Sequence, residues 1–454
     1  MTPPDPAARA ALPGWMARQR WYTGKGHEPR LELVGRLALP AADDVTVESW
    51  LVRDVGAEPV LYQVPLAFRD APLPGLADAL VAGPAAGDGR WVYDGCHDPA
   101  GAAALLRAIV REEGLGDADP AVVTGARGHR AGALPELPTS GSHVLRGEQS
   151  NTSIIFDAAG QGAVMPVMLK VFRVLHPGLN PDVEVQQALA SAGSDRVPRP
   201  VGDLLGRWPT AGAGTAEGHL ALAQEFLPGV QDAWRVALAA LTAGEDFGAP
   251  ARALGRATAE VHATLAAVLP TRPADQGARD ALLATWRRRY ATAGRFVPEL
   301  AGRAREVEEV LRAGGAAPWP DLQRIHGDYH LGQVIDAPGR GWVLLDFEGE
   351  PLRPLAERTL PDLPQRDVAG MLRSFDYAGA SAGEPGAGGA WATRAREAFL
   401  DGYGEVTGTD PRADAALLRA LELDKALYEA VYEARNRPDW LPIPLGGVAR
   451  ILQA

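Results

Sequence analysis

Apolar and polar residues alternate with a period of two through much of residues 31–70. Leu31-Glu32-Leu33-Val34, Val45-Thr46-Val47-Glu48-Ser49-Trp50-Leu51-Val52 and Val60-Leu61-Tyr62-Gln63-Val64-Pro65-Leu66 each read as an antiparallel strand of a half-exposed sheet. Trp91-Val92-Tyr93-Asp94-Gly95 reads as a further strand ending in a turn, and residues 102–113 have helical spacing and good helix formers. Ahead of these, Trp15, Met16 and Trp21 can pack one face of a short helix, and Gly24-Lys25-Gly26 marks a flexible turn. The pattern predicts a small α/β cap over residues 1–96. Residues 114–141, rich in Gly, Ala and Pro, read as a connector. Leu145 to Phe156 reads as a polar turn between two strands. Val164 to Phe172 reads as an apolar strand with one Lys in it, Asn180-Pro181-Asp182 as a helix start, and Leu220 to Leu227 as a strand running into Pro228-Gly229. Beyond residue 227 the spacing turns mainly helical, over 251–269, 280–289, 303–313, 362–375 and 423–440. Trp342 to Leu345 is a short buried strand, and 378–390 a Gly/Ala loop. The fold class is α/β, or α+β in stricter terms.

Composition narrows the partners. The chain has 454 residues, enough for two or three domains. Its 46% hydrophobic and 22% charged residues are ordinary for a soluble globular protein. A net charge of −12 and a pI of about 5.3 argue against nucleic acid as the main partner, since phosphate backbones want a basic surface. One cysteine, Cys96, cannot form an internal disulfide, which fits a reducing, cytoplasmic setting. Met1-Thr2-Pro3-Pro4-Asp5 lacks a signal pattern, and no apolar run reaches membrane-spanning length, so no membrane partner is expected. Lysine is scarce: among 45 basic residues only Lys25, Lys170 and Lys425 are Lys. A compact point charge is the use that would keep them.

Candidate chemistry concentrates in two stretches, Ile325-His326-Gly327-Asp328-Tyr329-His330-Leu331-Gly332-Gln333 and Trp342-Val343-Leu344-Leu345-Asp346-Phe347-Glu348-Gly349-Glu350. Two acids from different loops and a carboxamide can converge on a magnesium–phosphate site. Phosphoryl transfer needs metal across the phosphates and a group to orient the acceptor hydroxyl, and Mg²⁺ prefers hard oxygen ligands. Lys170 is charged within an apolar strand and needs an acid, for which Glu184 is the natural candidate. Gln149, Ser150, Asn151 and Thr152 supply amide and hydroxyl donors in a turn without the G-x-G-x-x-G or Walker patterns. His262 reads as structural, and Asp367 as an anchor for the Asp328 loop. On a helix, Lys425, Tyr428, Tyr432 and Arg435 share one face. Aromatic rings there can stack on sugar faces while cations meet hydroxyls, and His330 joins them as a substrate candidate.

These motifs resemble those of the maltokinase family, within the kinase-like sugar and aminoglycoside phosphotransferases. The resemblance runs from Gln19 to Pro444. It is carried by the Q-R-W-Y-T-G-K-G stretch at Gln19, H-G-D-Y-H-L-G-Q, D-F-E-G-E-P, and the K-x-x-Y-E-x-x-Y-E-x-x-N-R-P-x-W pattern from Lys425. It implies a bilobal fold: the cap at 1–96, residues 97–226 completing a nucleotide-binding N-lobe, and a helical C-lobe at 227–454. It implies ATP and Mg²⁺ as cofactors, Asp328 as catalytic base, and Gln333, Asp346 and Glu348 on the metal. Lys170 would lie on the ATP phosphates, and Gln224, Glu225 and Phe226 would form a hinge facing adenine. The expected reaction gives maltose 1-phosphate, feeding α-glucan synthesis beside trehalose synthase and maltosyltransferase. A kinase for another sugar such as glucosamine, or a non-catalytic sugar- or nucleotide-binding regulator, are the alternatives.

Overall fold

The computed structural model describes residues 4–453 except 42–43, 57, 85–88, 118–123, 139–140, 146–149, 158–163, 213, 351–352, 354 and 382–386. The chain divides into two compact units, one of Met1–Val183 with Pro198–Pro228, the other of Glu184–Val197 with Gly229–Ala454.

The first unit is built on two antiparallel sheets. Its strands are β1 (Leu31–Leu39), β2 (Val45–Asp54), β3 (Val60–Arg69), β4 (Leu80–Ala82), β5 (Trp91–Asp94), β6 (Gly114–Gly116), β7 (Gly125–Arg130), β8 (Ser142–Val144) and β9 (Asn151–Phe156). They continue as β10 (Val167–Phe172), β11 (Val174–Leu175), β12 (Pro200–Pro209) and β13 (Thr215–Glu225). One sheet has the order β1-β2-β3-β5-β4 with β11 also on β3; the other runs β6-β7-β12-β13-β10-β9-β8. The period-two pattern decides which way each cap strand faces. Trp50 and Val52 of β2, with Tyr62, Val64, Leu66 and Phe68 of β3, pack on helix α1 (Pro6–Met16) through Leu12, Trp15 and Met16. The alternate residues Val45, Val47, Leu51, Leu61 and Ala67 share a core with helix α2 (Pro99–Val110) and the second sheet. Both helices start on an Asp whose side chain accepts backbone N–H groups, Asp5 for α1 and Asp98 for α2. The expected connector 114–141 carries two strands, β6 and β7. Small residues there reflect close packing rather than a linker: a Cβ on Gly128 would lie 2.0 Å from the Ala108 carbonyl oxygen of α2.

The second unit is helical. Helix α3 (Pro181–Ser191) begins in the first unit and ends in the second. The rest are α4 (Ala233–Ala243), α5 (Gly248–Val268), α6 (Gln276–Phe296), α7 (Pro298–Ala301), α8 (Ala304–Ala316), α9 (Leu355–Arg358), α10 (Gln365–Ala380), α11 (Ala387–Thr407), α12 (Ala415–Asn436) and α13 (Pro442–Gln453). The Gly/Ala loop is shorter than expected, because α10 runs to Ala380 and α11 begins at Ala387. Phe247, Trp286, Phe375, Trp391 and Phe399 are buried in one core with the apolar faces of α5, α10 and α12. Among the described residues the unit's sheet is a hairpin of β14 (Val334–Ala337) and β15 (Gly341–Leu344). Among the described residues no helix is long and apolar enough to cross a membrane.

Candidate active site

The β14–β15 hairpin pairs Val334 with Leu344, so its open end presents Gln333 and Asp346 side by side. The Leu345 N–H donates to the Gln333 carbonyl at 2.9 Å, and Gln333 Nε2 donates to Asp346 Oδ2 at 3.2 Å. Asp346 has φ of 61°, a left-handed conformation rare for a residue with a Cβ. His326 ties this loop to the Asp328 loop: its Nε2 lies 2.8 Å from the Leu345 carbonyl oxygen, and its ring packs on Phe347 at 4.8 Å and Tyr329 at 5.1 Å.

The expected anchoring by Asp367 is present. Its carboxylate, 1% exposed, accepts the His326 N–H at 2.7 Å and the Gly327 N–H at 2.9 Å. His262 Nε2 lies 3.0 Å from the same carboxylate and Nδ1 2.9 Å from Tyr403 Oη, which is the structural role read for it. Burial alone would raise the Asp367 carboxyl; the His262 hydrogen bond, the two imidazoles and the Gly327 N–H hold it below its ordinary value. Gly327 turns the chain at φ of 83°, where a side chain would be strained, and so brings both N–H groups to one carboxylate.

Asp328 faces a cavity of about 450 Å³ whose walls include His330, Lys425, Tyr428, Glu429, Tyr432 and Glu433. Lys425 Nζ donates to Asp328 Oδ1 at 2.8 Å and to Glu350 Oε1 at 3.3 Å. Behind it runs a chain of alternating charge. Arg289 bridges Glu350 at 2.8 Å and Asp424 at 3.0 Å, and Arg366 bridges Asp424 and Asp362, both at 2.8 Å. Burial would lower the Lys425 ammonium, but Asp328 and Glu350 raise it above its ordinary value. Burial would raise Glu350, but Arg289, Lys425 and Arg366 bring it down to about 2. Enclosure lowers the His330 imidazole more than Asp328 raises it.

Further along α12 each acid again meets a cation. Arg373 donates to Glu429 Oε2 at 2.8 and 3.0 Å, and Arg437 to the two Glu433 oxygens at 2.6 and 2.9 Å. Tyr377 stacks on Trp440 with centroids 6.2 Å apart, and Arg437 lies over Trp440 at 4.9 Å and Tyr432 at 5.6 Å. Of the expected stripe, Lys425, Tyr428 and Tyr432 line the cavity, but Arg435 does not; its guanidinium sits 4.0 Å from the Phe296 ring of α6. At 100° per residue Lys425 and Tyr432 fall near the centre of the lining face and Glu429 about 40° to one side of Lys425, while Arg435 falls about 80° to the other, at its edge. Sequence reasoning passed over Glu429, Glu433, Arg437 and Trp440 as site residues, although all four stand within the quoted K-x-x-Y-E motif.

In the first unit Lys170 is 7% exposed and pairs with Asp182 at 3.1 Å, which corrects the expected Glu184 partner. Glu184 pairs with Arg324 at 2.7 Å. The Asn180 side chain accepts the Asp182 N–H at 2.9 Å, and this start to α3 fixes which acid turns toward β10. Ser150 is exposed and Asn151 opens β9, whereas Gln149 lies outside the described residues. Gln224 is buried on β13. The N–H groups of Glu225 and Phe226 donate to the Arg199 and Pro166 carbonyls at 2.8 and 2.9 Å. The expected metal ligands Asp346 and Glu348 are half-buried, and Glu348 O accepts from Arg358 at 3.4 Å.

The family model of the maltokinase N-terminal cap domain matches residues 15–98, and that of the phosphotransferase enzyme family matches residues 143–417. The chain is 33% identical over 331 residues to a glucosamine kinase of Mycolicibacterium smegmatis (strain ATCC 700084 / mc(2)155), covering 69% of this chain and 80% of that protein. To a glucosamine kinase of Streptacidiphilus jiangxiensis it is 29% identical over 390 residues, covering 78% and 84%. A solved glucosamine kinase in complex with glucosamine, ADP and inorganic phosphate superposes with a TM-score of 0.65 at 24% identity, over 97% of this chain and 99% of that one. At that identity the likeness speaks for the fold.

Proposed function

Since the chain belongs to the phosphotransferase enzyme family and carries a maltokinase-type cap, we propose that it transfers the γ-phosphoryl group of ATP to the anomeric hydroxyl of maltose. The observation that carries the sugar choice is the charge balance of the cavity. Asp328, Glu429 and Glu433 each meet a cation, Lys425, Arg373 and Arg437 respectively. No carboxylate of the three is left to bind an ammonium group alone, so a neutral polyhydroxyl ligand suits the cavity better than an amino sugar. Length agrees: Lys425 to Tyr432 spans seven residues, about 10 Å of helix axis, longer than one hexose ring. Tyr428, Tyr432 and Trp440 supply faces for stacking.

In this reading Asp328 orients the acceptor hydroxyl and takes its proton, with Lys425 and the pinned loop fixing its carboxylate. Lys170, steadied by Asp182, holds ATP phosphate oxygens. The Asp346 and Glu348 carboxylates are hard donors of the kind Mg²⁺ prefers, and the Gln333 amide, whose nitrogen now donates to Asp346, would turn its oxygen to the ion; bound there, the ion would neutralise charge on the transferred phosphoryl group. Maltose 1-phosphate would then supply α-glucan synthesis. The second reading, glucosamine as acceptor, is favoured by the names of the two relatives above. The test is a panel of maltose, glucose, glucosamine and trehalose assayed for ADP release, with ³¹P NMR of the product. Maltose should lead in kcat/KM and give an anomeric phosphate. Preference for glucosamine, or phosphate on a primary hydroxyl, refutes the maltose assignment; no turnover with any sugar favours a non-catalytic regulator.

A further inference from the structure

The Trp21–Tyr22 pair and the buried Arg173 take no part in the chemistry above, yet they converge. Arg173 stands between β10, which carries Lys170 and ends at Phe172, and β11, whose Val174 pairs with Tyr62 of the cap strand β3. The Gln63 N–H donates to the Arg173 carbonyl at 2.9 Å. The chain therefore crosses from one sheet to the other three residues after Lys170. The Arg173 side chain is fully buried, and its Nη2 donates to Asp94 Oδ2 and Oδ1 at 2.7 and 3.0 Å. Its Nε donates to Thr152 Oγ1 at 2.8 Å, and its Cζ lies 4.9 Å from the Trp21 ring. Asp94 closes cap strand β5, while Thr152 sits on β9 opposite Val171 and beside Asn151. Trp21 packs on Trp15 at 5.8 Å and Tyr62 at 5.9 Å, and Tyr22 Oη donates to Asp54 Oδ2 at 2.6 Å.

We propose that the cap is a splint for the nucleotide strands, and that Arg173 is the positioning residue that locks β10 and β9 to it. Arg173 acts through Lys170 and Asn151 and does not itself meet the nucleotide. A buried guanidinium stripped of its carboxylate is strongly unfavourable, so the pair with Asp94 enforces one register between cap and strands. The Q-R-W-Y stretch then has a task, closing the cap side of the clamp with Trp21 over the guanidinium and Tyr22 holding Asp54. The inference rests on reading Lys170 as a phosphate contact.

The test uses full-length protein with Asp94→Asn, Asp94→Glu, Trp21→Leu, Thr152→Val and Lys170→Met, measuring ATP affinity by calorimetry, KM for ATP and for the sugar, and thermal melts. Asp94→Asn should raise KM for ATP five- to twentyfold and Thr152→Val about threefold, with KM for the sugar changed less than twofold. Asp94→Glu should restore part of the loss. Should Asp94→Asn fail to fold, the near-isosteric Thr152→Val, which removes one hydrogen bond, carries the comparison. Unchanged ATP affinity in the folded variants, or equal losses for ATP and sugar, overturns the splint. If Lys170→Met weakens ATP while the cap variants do not, the splint alone falls; if Lys170→Met leaves ATP binding intact, both readings fall.

Discussion

Replacing Asp367 by Asn tests how the Asp328 loop is held. Each carboxylate oxygen takes one backbone donor, Oδ2 the His326 N–H at 2.7 Å and Oδ1 the Gly327 N–H at 2.9 Å. An asparagine keeps a single oxygen. Whichever way the amide turns, its NH₂ group opposes a buried N–H. One charge-assisted bond is lost outright, about 1.5–3 kcal/mol, and the other becomes a neutral bond roughly 1 kcal/mol weaker. The sum is about 2.5–4 kcal/mol, a fall in Tm of roughly 5–16 °C for a cooperative unit of this size. The freed segment, His326 and Gly327, ends one residue before Asp328. A misplacement on the order of 1 Å at a reacting group costs about 100-fold in rate, so kcat should fall by about that factor. KM for the sugar should hold, since the cavity walls on α12 make no bond to Asp367. Calorimetric melts and steady-state kinetics decide it. A Tm within about 2 °C of wild type with kcat within threefold would refute the anchoring argument. A large Tm loss with normal kcat would make Asp367 a stabiliser that does not position Asp328.

Asp346→Asn should remove most turnover while leaving sugar binding intact by calorimetry, because a neutral amide is a poor Mg²⁺ ligand; near-normal rates at low Mg²⁺ would exclude Asp346 from the metal. Tyr432→Ala should raise KM for the sugar five- to tenfold, about 1 kcal/mol, whereas Arg435→Ala, seated on Phe296 outside the cavity, should leave it unchanged; the reverse order would return Arg435 to the substrate. Glu350 is depressed from its ordinary 4.5 to about 2, so its contribution to stability is present above pH 4.5 and is lost as pH falls toward 2, on the order of 3 kcal/mol in all. The stability gap between wild type and Glu350→Gln in urea titrations should therefore shrink steadily from pH 4.5 downward, and a constant gap would contradict the buried ion chain.

What was legible in the sequence was local. Gln333 and Asp346 are joined by a tight hairpin, so their convergence follows from β14 and β15 pairing at all. Period-two alternation in 45–68 placed the cap strands, but the half-exposed sheet it predicted is covered on both faces, by α1 on one and by α2 and the second sheet on the other. The misreadings are rotational. Asp182 and Glu184 stand two residues apart on a helix, about 200° around its axis, and only the Asn180 start decides which of them meets Lys170. Glu429 carried no role in the sequence because its cation comes from elsewhere, Arg373 reaching it across 56 positions, whereas Glu433 meets Arg437 only four residues on, within the motif itself. The alternating charge chain behind Lys425 was invisible for the same reason, its members drawn from α6, α10, α12 and the loop after β15.

The division of labour between Lys and Arg explains why a chain so poor in lysine keeps it where it does. Arg366 and Arg373 are buried and fork between two carboxylates each, Asp362 with Asp424 and Glu429 with Asp376. That geometry suits a rigid planar guanidinium and locks helix to helix. Lys425 and Lys170 sit instead against acids at the proposed sites of chemistry, Asp328 and Asp182. A guanidinium beside Asp328 would hold its carboxylate through two parallel bonds and crowd the acceptor hydroxyl, while an ammonium touches one oxygen and leaves the other for substrate. Lys25, which donates to the Gln19 carbonyl in the cap, is the surface exception. The scarcity thus separates two kinds of positive charge: Arg where helices are clamped through two carboxylates, Lys where a carboxylate is met at one oxygen.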